Sequence, residues 1–302
     1  MVSRGLIPSR EKAREKIISG CVSVNGAAVT KPGTMIAEDA VIEVSGDGDD
    51  FVGRGGRKLE KLLSLYKPSL QGLRCLDVGA STGGFTEAML RRGASVVYSV
   101  DVGTDQLADS LRTDSRVVVM EQTDIRTVTQ EQIGGPVDFA GIDVSFISLT
   151  MILPYVAALL APGAEIGCLI KPQFEAGRSN VGKRGVVKDP KVHTEVLTRV
   201  LAAAQAVGLQ AVQLTDSPIR GQNGNIEYLL YARYLPDMPA GEAVAGIAGA
   251  DATEAVSTEA EHAGAGAAET KPAEQAHRTK TEPTAAVDAE RTVYEAFLHH
   301  RQ

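Results

Sequence analysis

The segment LDVGASTGGF, residues 76–85, carries the strongest structural signal in this 302-residue sequence. It follows an apolar run that is typical of a strand, and it precedes the pattern of an amphipathic helix. Small residues in the turn let the backbone approach a ligand, and the N-terminus of the helix offers free N–H groups to an anion. The segment therefore favours a ligand-binding turn, although a tight turn without a ligand has the same composition.

Two kinds of ligand fit such a turn. Dinucleotides are bound through G-x-G-x-x-G, in which the middle glycine touches the pyrophosphate. Ser81 occupies that middle position here, so the match is imperfect. Asp77 ends the strand before Gly79, an arrangement used to bind the amino-acid end of S-adenosylmethionine. Because Asp101 ends the next predicted strand, where a carboxylate can hold ribose hydroxyls, we expect the turn to bind a ligand.

Strands and helices alternate on both sides of this turn. The predicted strands are residues 73–78, 95–101, 116–120, 137–143, 165–170, 210–214 and 226–232. The predicted helices include residues 82–92, 149–160 and 190–207. This alternation is typical of an α/β fold with an open, mostly parallel, Rossmann-like sheet. We assign residues 53–236 to this domain and residues 47–52 to a linker.

The first 46 residues have the pattern of a small α+β module. Ser9 can cap a helix, and Asn25-Gly26 is the strongest short signal for a β-hairpin. A further short strand is predicted at residues 41–44. Five basic residues near the N-terminus are candidates for contacts with phosphates, namely Arg4, Arg10, Lys12, Arg14 and Lys16.

Residues 237–302 have the composition of a disordered tail, rich in Ala, Glu, Thr, Gly and Pro. Of the 38 acidic and 31 basic residues in the chain, 11 acidic and 5 basic residues lie in residues 241–302. Residues 1–240 are therefore nearly neutral, and the net acidity does not argue against an RNA partner. Residues 291–300 could form an amphipathic helix with Val293 and Phe297 on one side, but we expect a frayed end.

The sequence carries no disulfide, metal or membrane signature. Cys21, Cys75 and Cys168 lie far apart in apolar surroundings, which is typical of buried thiols. No run of about 18 apolar residues is present, and the N-terminus lacks the pattern of a secretory leader. We expect a cytoplasmic protein.

Ionisable residues end or interrupt further predicted strands. Asp143 lies in GIDVSFISL, Lys171 in LIKPQFE and Glu227 in GNIEYLL. Ligands bind at the carboxyl edge of open α/β sheets, and a charge in an apolar strand is costly without a partner. Two of these residues also have a structural explanation, because Asp143 could cap a helix and Lys171 could extend to solvent. Glu227 is expected to point into a polar cleft. Residues 53–61, GRGGRKLEK, are typical of a basic helix start.

The order of these motifs resembles that of one enzyme family. R-G-G-x-K-L, D-V-G-A-S-T-G-G-F, I-D-V-S-F-I-S-L, I-K-P-Q-F-E and G-N-I-E follow one another as in the TlyA-type methyltransferases, FtsJ-like relatives often labelled haemolysins. The similarity extends over residues 4–233, and residues 4–45 resemble the S-four RNA-binding domain. The resemblance implies methyl transfer from S-adenosylmethionine to a ribose 2′-hydroxyl of RNA. The expected target is a cytidine of ribosomal RNA, and the substrate is either a ribosomal subunit or free RNA.

The resemblance also implies the site residues. A Lys-Asp-Lys-Glu active site falls on Lys58, Asp143, Lys171 and Glu227. Contacts with S-adenosylmethionine fall on Asp77, Gly79, Ser81, Thr82, Gly83, Gly84, Asp101 and Asp124. Many relatives carry Asn in place of Asp124, but a carboxylate can also accept a hydrogen bond from an adenine amino group. Relatives have an R-L-D-x-x-L segment before the first helix of the RNA-binding module, so we expect that helix to be shortened here.

These residue types suit the reaction. A ribose hydroxyl is a weak nucleophile that loses its proton as it attacks, so a general base is needed. A lysine can serve as this base when burial or a nearby cation disfavours its charged form. Lys58 could be that cation for Lys171. Asp143 and Glu227 would orient the ammonium groups, and no metal is required. His193, outside the motifs, is interpreted as structural.

Two other functions remain open from the sequence. One is a non-catalytic RNA-binding or ribosome-assembly protein that uses the fold as a scaffold, and the other is a membrane-active haemolysin. The four ionisable residues argue against the first. The lack of an apolar span or a strongly basic amphipathic helix argues against the second.

Overall fold

The structure, a computed structural model, describes residues 1–18, 22–29, 31–37, 39–44, 51–66, 68–236 and 288–299. Cys21, most of the predicted linker and most of the predicted tail lie outside the described residues. Within the described residues there is a small sheet near the N-terminus and a large sheet that contains the glycine-rich turn.

The N-terminal module is a helix followed by a three-stranded antiparallel sheet. A single 3-10 turn, Val2–Arg4, is followed by α1 (Arg10–Ile18), β1 (Val22–Val24), β2 (Ala27–Ala28) and β3 (Ile42–Val44). The Ser9 hydroxyl accepts a hydrogen bond from the N–H of Lys12 at 3.2 Å, so Ser9 caps α1 as predicted. Asn25 and Gly26 have φ of 51° and 81°, which a two-residue hairpin requires, and β1 pairs with β2 across them.

Seven strands form the large sheet. They are β4 (Arg74–Val78), β5 (Val96–Val100), β6 (Val117–Met120), β7 (Val137–Ile142), β8 (Leu160–Ile170), β9 (Leu209–Asp216) and β10 (Tyr228–Tyr234). Their order is β6-β5-β4-β7-β8-β10-β9. The first five are parallel, and β10 is antiparallel to both of its neighbours. The predicted α/β fold with a mostly parallel sheet is confirmed.

Helices cover both faces of this sheet. They are α2 (Gly55–Tyr66), α3 (Gly84–Arg91), α4 (Asp109–Arg112), α5 (Leu149–Ala157), α6 (Pro172–Glu175) and α7 (Pro190–Ala206). Cys75 and Phe139 face a core formed with α2 and α3, whereas Leu76 and Ile142 face a core formed with α5 and α7. Successive strand residues point to opposite faces, so apolar runs in β4 and β7 serve both cores.

The carboxyl ends of the five parallel strands meet at one edge of the sheet. Asp101 follows β5, Glu121 follows β6, Asp143 follows β7 and Lys171 follows β8. Because β10 runs in the opposite direction, Glu227 before its first residue joins the same edge. The topology therefore gathers ionisable side chains from distant parts of the chain.

The end of the chain contradicts the expected frayed end. Helix α8 (Ala289–His299) packs against α7 and β9. Ala289, Val293 and Ala296 are buried in the core with α7, and the Phe297 ring lies edge-on to His193 with centroids 5.1 Å apart. These residues form one apolar stripe at helical spacing. The stripe is short and follows a long polar segment. The composition of residues 237–302 therefore indicated a frayed end, although the stripe itself is typical of a docked helix.

Two further features concern what the described residues lack. Among them, no helix is long and apolar enough to cross a membrane, and no group of three or more His, Cys, Asp or Glu could hold a metal ion.

Cys75 and Cys168 are buried, and burial raises the pKa of both thiols to about 12. These two thiols are therefore protonated parts of the core.

Candidate active site

A cavity of about 560 Å³ opens at the carboxyl edge of the large sheet. All four predicted catalytic residues line it: Lys58 from α2, Asp143 after β7, Lys171 after β8 and Glu227 before β10. Gly79, Ser81, Thr82 and Gly84 of the glycine-rich turn line the same cavity. The structure thus brings the predicted catalytic residues and half of the predicted cofactor residues together.

Lys58 and Glu227 form a buried ion pair in the cavity wall. The Lys58 Nζ lies 2.5 Å from Glu227 Oε2, and the two side chains are 9% and 2% exposed. Gln173 donates a hydrogen bond from Nε2 to Glu227 Oε1 at 3.0 Å. Because an unpaired buried charge is costly, each member of this pair needs the other.

Lys171 and Asp143 form a second, slightly more exposed pair. The Lys171 Nζ lies 2.6 Å from Asp143 Oδ1 and donates a hydrogen bond to Ser145 Oγ at 2.9 Å. Pro172 begins α6, so the backbone at Lys171 is extended and the strand ends there. Each lysine therefore has its own carboxylate, as the expectation of oriented ammonium groups required.

The turn after β4 packs tightly against the backbone of Asp143, directly after β7. Gly79 has φ of 83°, and a Cβ there would lie 2.6 Å from the carbonyl oxygen of Asp143. Only glycine fits this position. Ser81 has φ of 47°, and its N–H donates to Asp101 Oδ2 at 2.8 Å. Asp101 is absent from the cavity lining, but it holds the turn in place.

Carboxylates also shape the loop beside this turn. Asp101 Oδ1 accepts a hydrogen bond from the N–H of Gly103 at 2.7 Å. Glu121 accepts from the three successive N–H groups of residues 105–107 and from Arg112. These bonds, led by the one from residue 107, lower the pKa of Glu121 to about 2. We missed Glu121 in the sequence, although it directly follows a predicted strand, which was the available signal.

Asp77 lies beneath the turn and is absent from the cavity lining. It is fully buried, and its Oδ2 accepts a hydrogen bond from the Thr86 hydroxyl at 2.6 Å. The same Thr86 hydroxyl lies 2.8 Å from the Ser99 hydroxyl. Its Oδ1 has no hydrogen-bond partner among the described residues. Burial raises the pKa of Asp77 to about 7. Asp77 thus supports the turn from below, whereas the sequence predicted that it would contact the ligand directly.

Gly83 and Asp124 also lie away from the cavity lining. Gly83 caps α3 with φ of 95°, and a Cβ there would collide with the side chain of Leu111. Asp124 caps the 3-10 helix Ile125–Thr127, and its carboxylate lies 2.5 Å from Arg126. A contact between Asp124 and adenine would therefore compete with an existing ion pair.

An exposed pair of aromatic rings stands beside the catalytic residues. Phe146 is 89% exposed and has φ of 65°, which is unusual for a bulky residue. Its ring centroid lies 4.9 Å from that of Phe174, and both residues line the cavity and an adjoining recess of about 490 Å³. A strained backbone that exposes an apolar ring indicates a binding function. Neither the strain nor the exposure can be read from the sequence.

His193 lies outside the cavity lining, as its structural interpretation required. Its Nδ1 lies 2.8 Å from the Tyr228 hydroxyl and its Nε2 lies 3.1 Å from the carbonyl oxygen of Val187. Burial lowers the pKa of this histidine. The neutral ring therefore joins α7 to β10 within the core.

The N-terminal cations divide into two groups. Four are exposed, namely Arg4, Arg10, Lys12 and Arg14. Lys16 is only 8% exposed, because α1 turns it toward the interior of the module three residues after buried Ala13. This burial contradicts the predicted contact between Lys16 and a phosphate.

The turn and its neighbours fit S-adenosylmethionine. Five residues of the turn line the cavity, namely Gly79, Ala80, Ser81, Thr82 and Gly84, and position 79 must be glycine because a Cβ there would meet the carbonyl oxygen of Asp143. The unpartnered Oδ1 of Asp77 is buried beneath the turn and does not line the cavity, whereas the Asp101 carboxylate beside the turn suits ribose hydroxyls.

Two family models match this chain. The FtsJ-like methyltransferase family matches residues 51–234, and the S4 domain matches residues 1–42. The first match covers more than half of the chain and includes all seven strands of the large sheet.

Individual proteins give the same result. The chain is 44% identical over 238 residues to the 16S/23S rRNA (cytidine-2'-O)-methyltransferase TlyA of Mycobacterium tuberculosis, which covers 78% of this chain and 89% of that protein. It is 40% identical over 230 residues to Hemolysin A of Brachyspira hyodysenteriae, covering 76% and 95%. The solved structure of a candidate hemolysin from Streptococcus thermophilus has a TM-score of 0.63 at 43% identity, covering 78% and 86%. The resemblance inferred from the motifs is confirmed.

Proposed function

Because the chain belongs to the FtsJ-like methyltransferase family, we propose that it methylates a ribose 2′-hydroxyl of RNA with Lys58, Asp143, Lys171 and Glu227 as catalytic residues. The observation that supports this most strongly is the cavity itself. Two lysine–carboxylate pairs and the glycine-rich turn line the same cavity. A scaffold without catalytic activity has no need of two such pairs in an open cavity.

Lys171 deprotonates or orients the attacking hydroxyl. It is the more exposed of the two lysines, and Asp143 and Ser145 fix the position of its Nζ. To accept the hydroxyl proton, Lys171 must first be in its neutral amine form, and Asp143 at 2.6 Å then stabilises the ammonium group that forms. Lys58 and Glu227 hold a fixed pair of charges nearby, which orients the ribose without moving during the reaction.

The cavity side of the turn holds S-adenosylmethionine through Gly79, Ser81, Thr82 and Gly84, and Asp77, Gly83 and Asp101 keep the turn in shape. S-adenosylmethionine bound there supplies an electrophilic methyl group. The protein aligns the hydroxyl with that methyl group, since both binding surfaces belong to one cavity. Asp124 contributes only if its carboxylate leaves Arg126.

We assign the substrate to ribosomal RNA, with a cytidine as the modified nucleotide. The N-terminal S4 match and the exposed cations Arg4, Arg10, Lys12 and Arg14 support RNA binding by residues 1–46. The relative from Mycobacterium tuberculosis is named for methyl transfer to cytidines of 16S and 23S rRNA. Residues 53–236 then form the methyltransferase domain, joined to the module by residues 47–52.

Methyl transfer from labelled S-adenosylmethionine tests this function. Purified small subunits, large subunits and naked ribosomal RNA are offered in parallel, with Lys171→Ala as the control enzyme. We expect label on a 2′-O-methylcytidine, recognisable because the methylated ribose resists alkaline cleavage of the next phosphodiester bond. Label on a base, or equal labelling by the control, would refute the proposal.

A further inference from the structure

The loop between α6 and α7 carries four basic residues, and its one acidic residue is Asp189, the N-cap of α7. Residues 177–188, named here the basic loop, contain Arg178, Lys183, Arg184 and Lys188 and no acidic residue. All four side chains are exposed. Within the part of the chain that the structure describes, none of the four makes an ion pair or a side-chain hydrogen bond.

Several other surface arginines of the same domain are neutralised. Arg112 lies 2.8 Å from Glu121, Arg116 lies 2.7 Å from Asp114 and Arg233 lies 2.8 Å from Glu165. Such exposed pairs add little stability, but each cancels a positive charge. The charge of the basic loop is not cancelled, so its potential attracts an anion.

The basic loop lies at the active-site cavity. Val181 and Gly185 line the cavity together with the catalytic residues. Arg178 lines the adjoining recess beside Phe146 and Phe174. An anionic chain whose sugar enters the cavity can therefore reach Arg178 in the recess and the neighbouring cations of the basic loop.

Asn225, in the segment that leads into β10, fixes the end of the basic loop. This residue is 2% exposed, its Oδ1 accepts a hydrogen bond from the N–H of Val187 at 3.1 Å, and its Nδ2 donates to the carbonyl oxygen of Gly185 at 2.8 Å. Glu227 lies two residues further along the chain. A loop held in this way loses less conformational entropy when it binds a ligand.

We propose that the basic loop binds the phosphate backbone of the RNA strand whose ribose enters the cavity. This proposal rests on the proposed function, because RNA is the substrate that brings consecutive phosphates to this position. Lysine and arginine side chains pair with phosphate oxygens and release counterions from the RNA. The methyltransferase domain thus carries an RNA contact of its own, separate from the cations of residues 1–46.

The salt dependence of RNA binding tests the proposal. We compare the full chain with Lys183→Gln/Arg184→Gln and with the control Arg116→Gln/Arg291→Gln, which makes the same change in net charge at two exposed ion pairs outside the cavity lining. The probe is ribosomal RNA, titrated at several salt concentrations without S-adenosylmethionine. Each lost phosphate contact reduces the slope of log affinity against log salt by about 0.7 to 0.9.

The loop variant removes two cations, so we expect the magnitude of its slope to fall by about 1.4 to 1.8. If the affinities are equal at 1 M salt, the variant then binds RNA about 25-fold to 60-fold more weakly at 0.1 M salt. Its affinity for S-adenosylmethionine and its single-turnover rate at saturating RNA should match the parent. A parental slope in the loop variant, or an equal loss in the control, overturns the proposal. Failure of the parent to methylate RNA overturns the proposed function instead, since binding is measured separately.

Discussion

Replacing Lys58 with methionine removes the cation that lies 2.5 Å from the buried Glu227 carboxylate. That carboxylate is 2% exposed, and after the substitution the hydrogen bond from Gln173 remains its polar contact among the described residues. Breaking a buried pair in this way costs about 3–5 kcal/mol, because one charge stays buried without its partner. The loss is large compared with a typical stability of about 5–15 kcal/mol.

The matched double variant Lys58→Met/Glu227→Gln removes both charges. The new amide can still accept the hydrogen bond from Gln173, so we expect stability to return to within about 1 kcal/mol of the parent. Urea unfolding at pH 7, with midpoint and slope fitted together, measures both variants. Neither should methylate RNA. A Lys58→Met variant as stable as the parent, or a double variant less stable than Lys58→Met, would refute this reasoning.

Three further predictions concern the core, α8 and the exposed aromatic ring. The folded-state pKa of Asp77, about 7, lies above its ordinary 3.8, so the stability gained from the bound proton is lost as pH rises between these values. In thermal scans, Asp77→Asn should therefore raise Tm relative to the parent more at pH 8 than at pH 4.5, and an equal effect at both would contradict this. Val293→Ala should cost about 1–3 kcal/mol, whereas Tyr294→Ala on the exposed side of α8 should cost less than about 0.5 kcal/mol; equal effects would show that α8 is not docked. Phe146→Gly should stabilise the fold by about 1 kcal/mol, because it relieves a left-handed backbone, yet slow RNA methylation; unchanged turnover would exclude a role for the ring.

The position of the site at one sheet edge could be predicted from the sequence. Asp101, Asp143 and Lys171 each follow an apolar run, and parallel strands bring such positions together. The Asn25-Gly26 hairpin was equally predictable, because its turn needs two left-handed residues. In both cases a local pattern determines the structure, so no knowledge of distant contacts is required.

Features that depend on distant contacts could not be predicted. The pairing of Lys58 with Glu227, rather than with Asp143, depends on how α2 lies against β10. Asp77 and Lys16 occur in sequence patterns that suggest exposure to a ligand, but tertiary packing buries both. Helix α8 is stabilised by its contacts with α7 and β9, and its own composition does not show them.

Single-turnover methyl transfer by Lys171→Ala shows whether the ion-paired lysine after β8 is the catalytic group. We expect the rate to fall roughly 10²-fold to 10⁴-fold, with affinity for S-adenosylmethionine unchanged because the glycine-rich turn is intact. Lys171→Arg should not restore the rate, since the guanidinium stays protonated and has a different shape. The loss in Lys171→Ala/Glu227→Ala should be smaller than the product of the single losses, because the residues act as one unit. If Lys171→Ala folds, binds the cofactor and still reacts at nearly the parental rate, the catalytic assignment is contradicted. That assignment comprises Lys58, Asp143, Lys171 and Glu227.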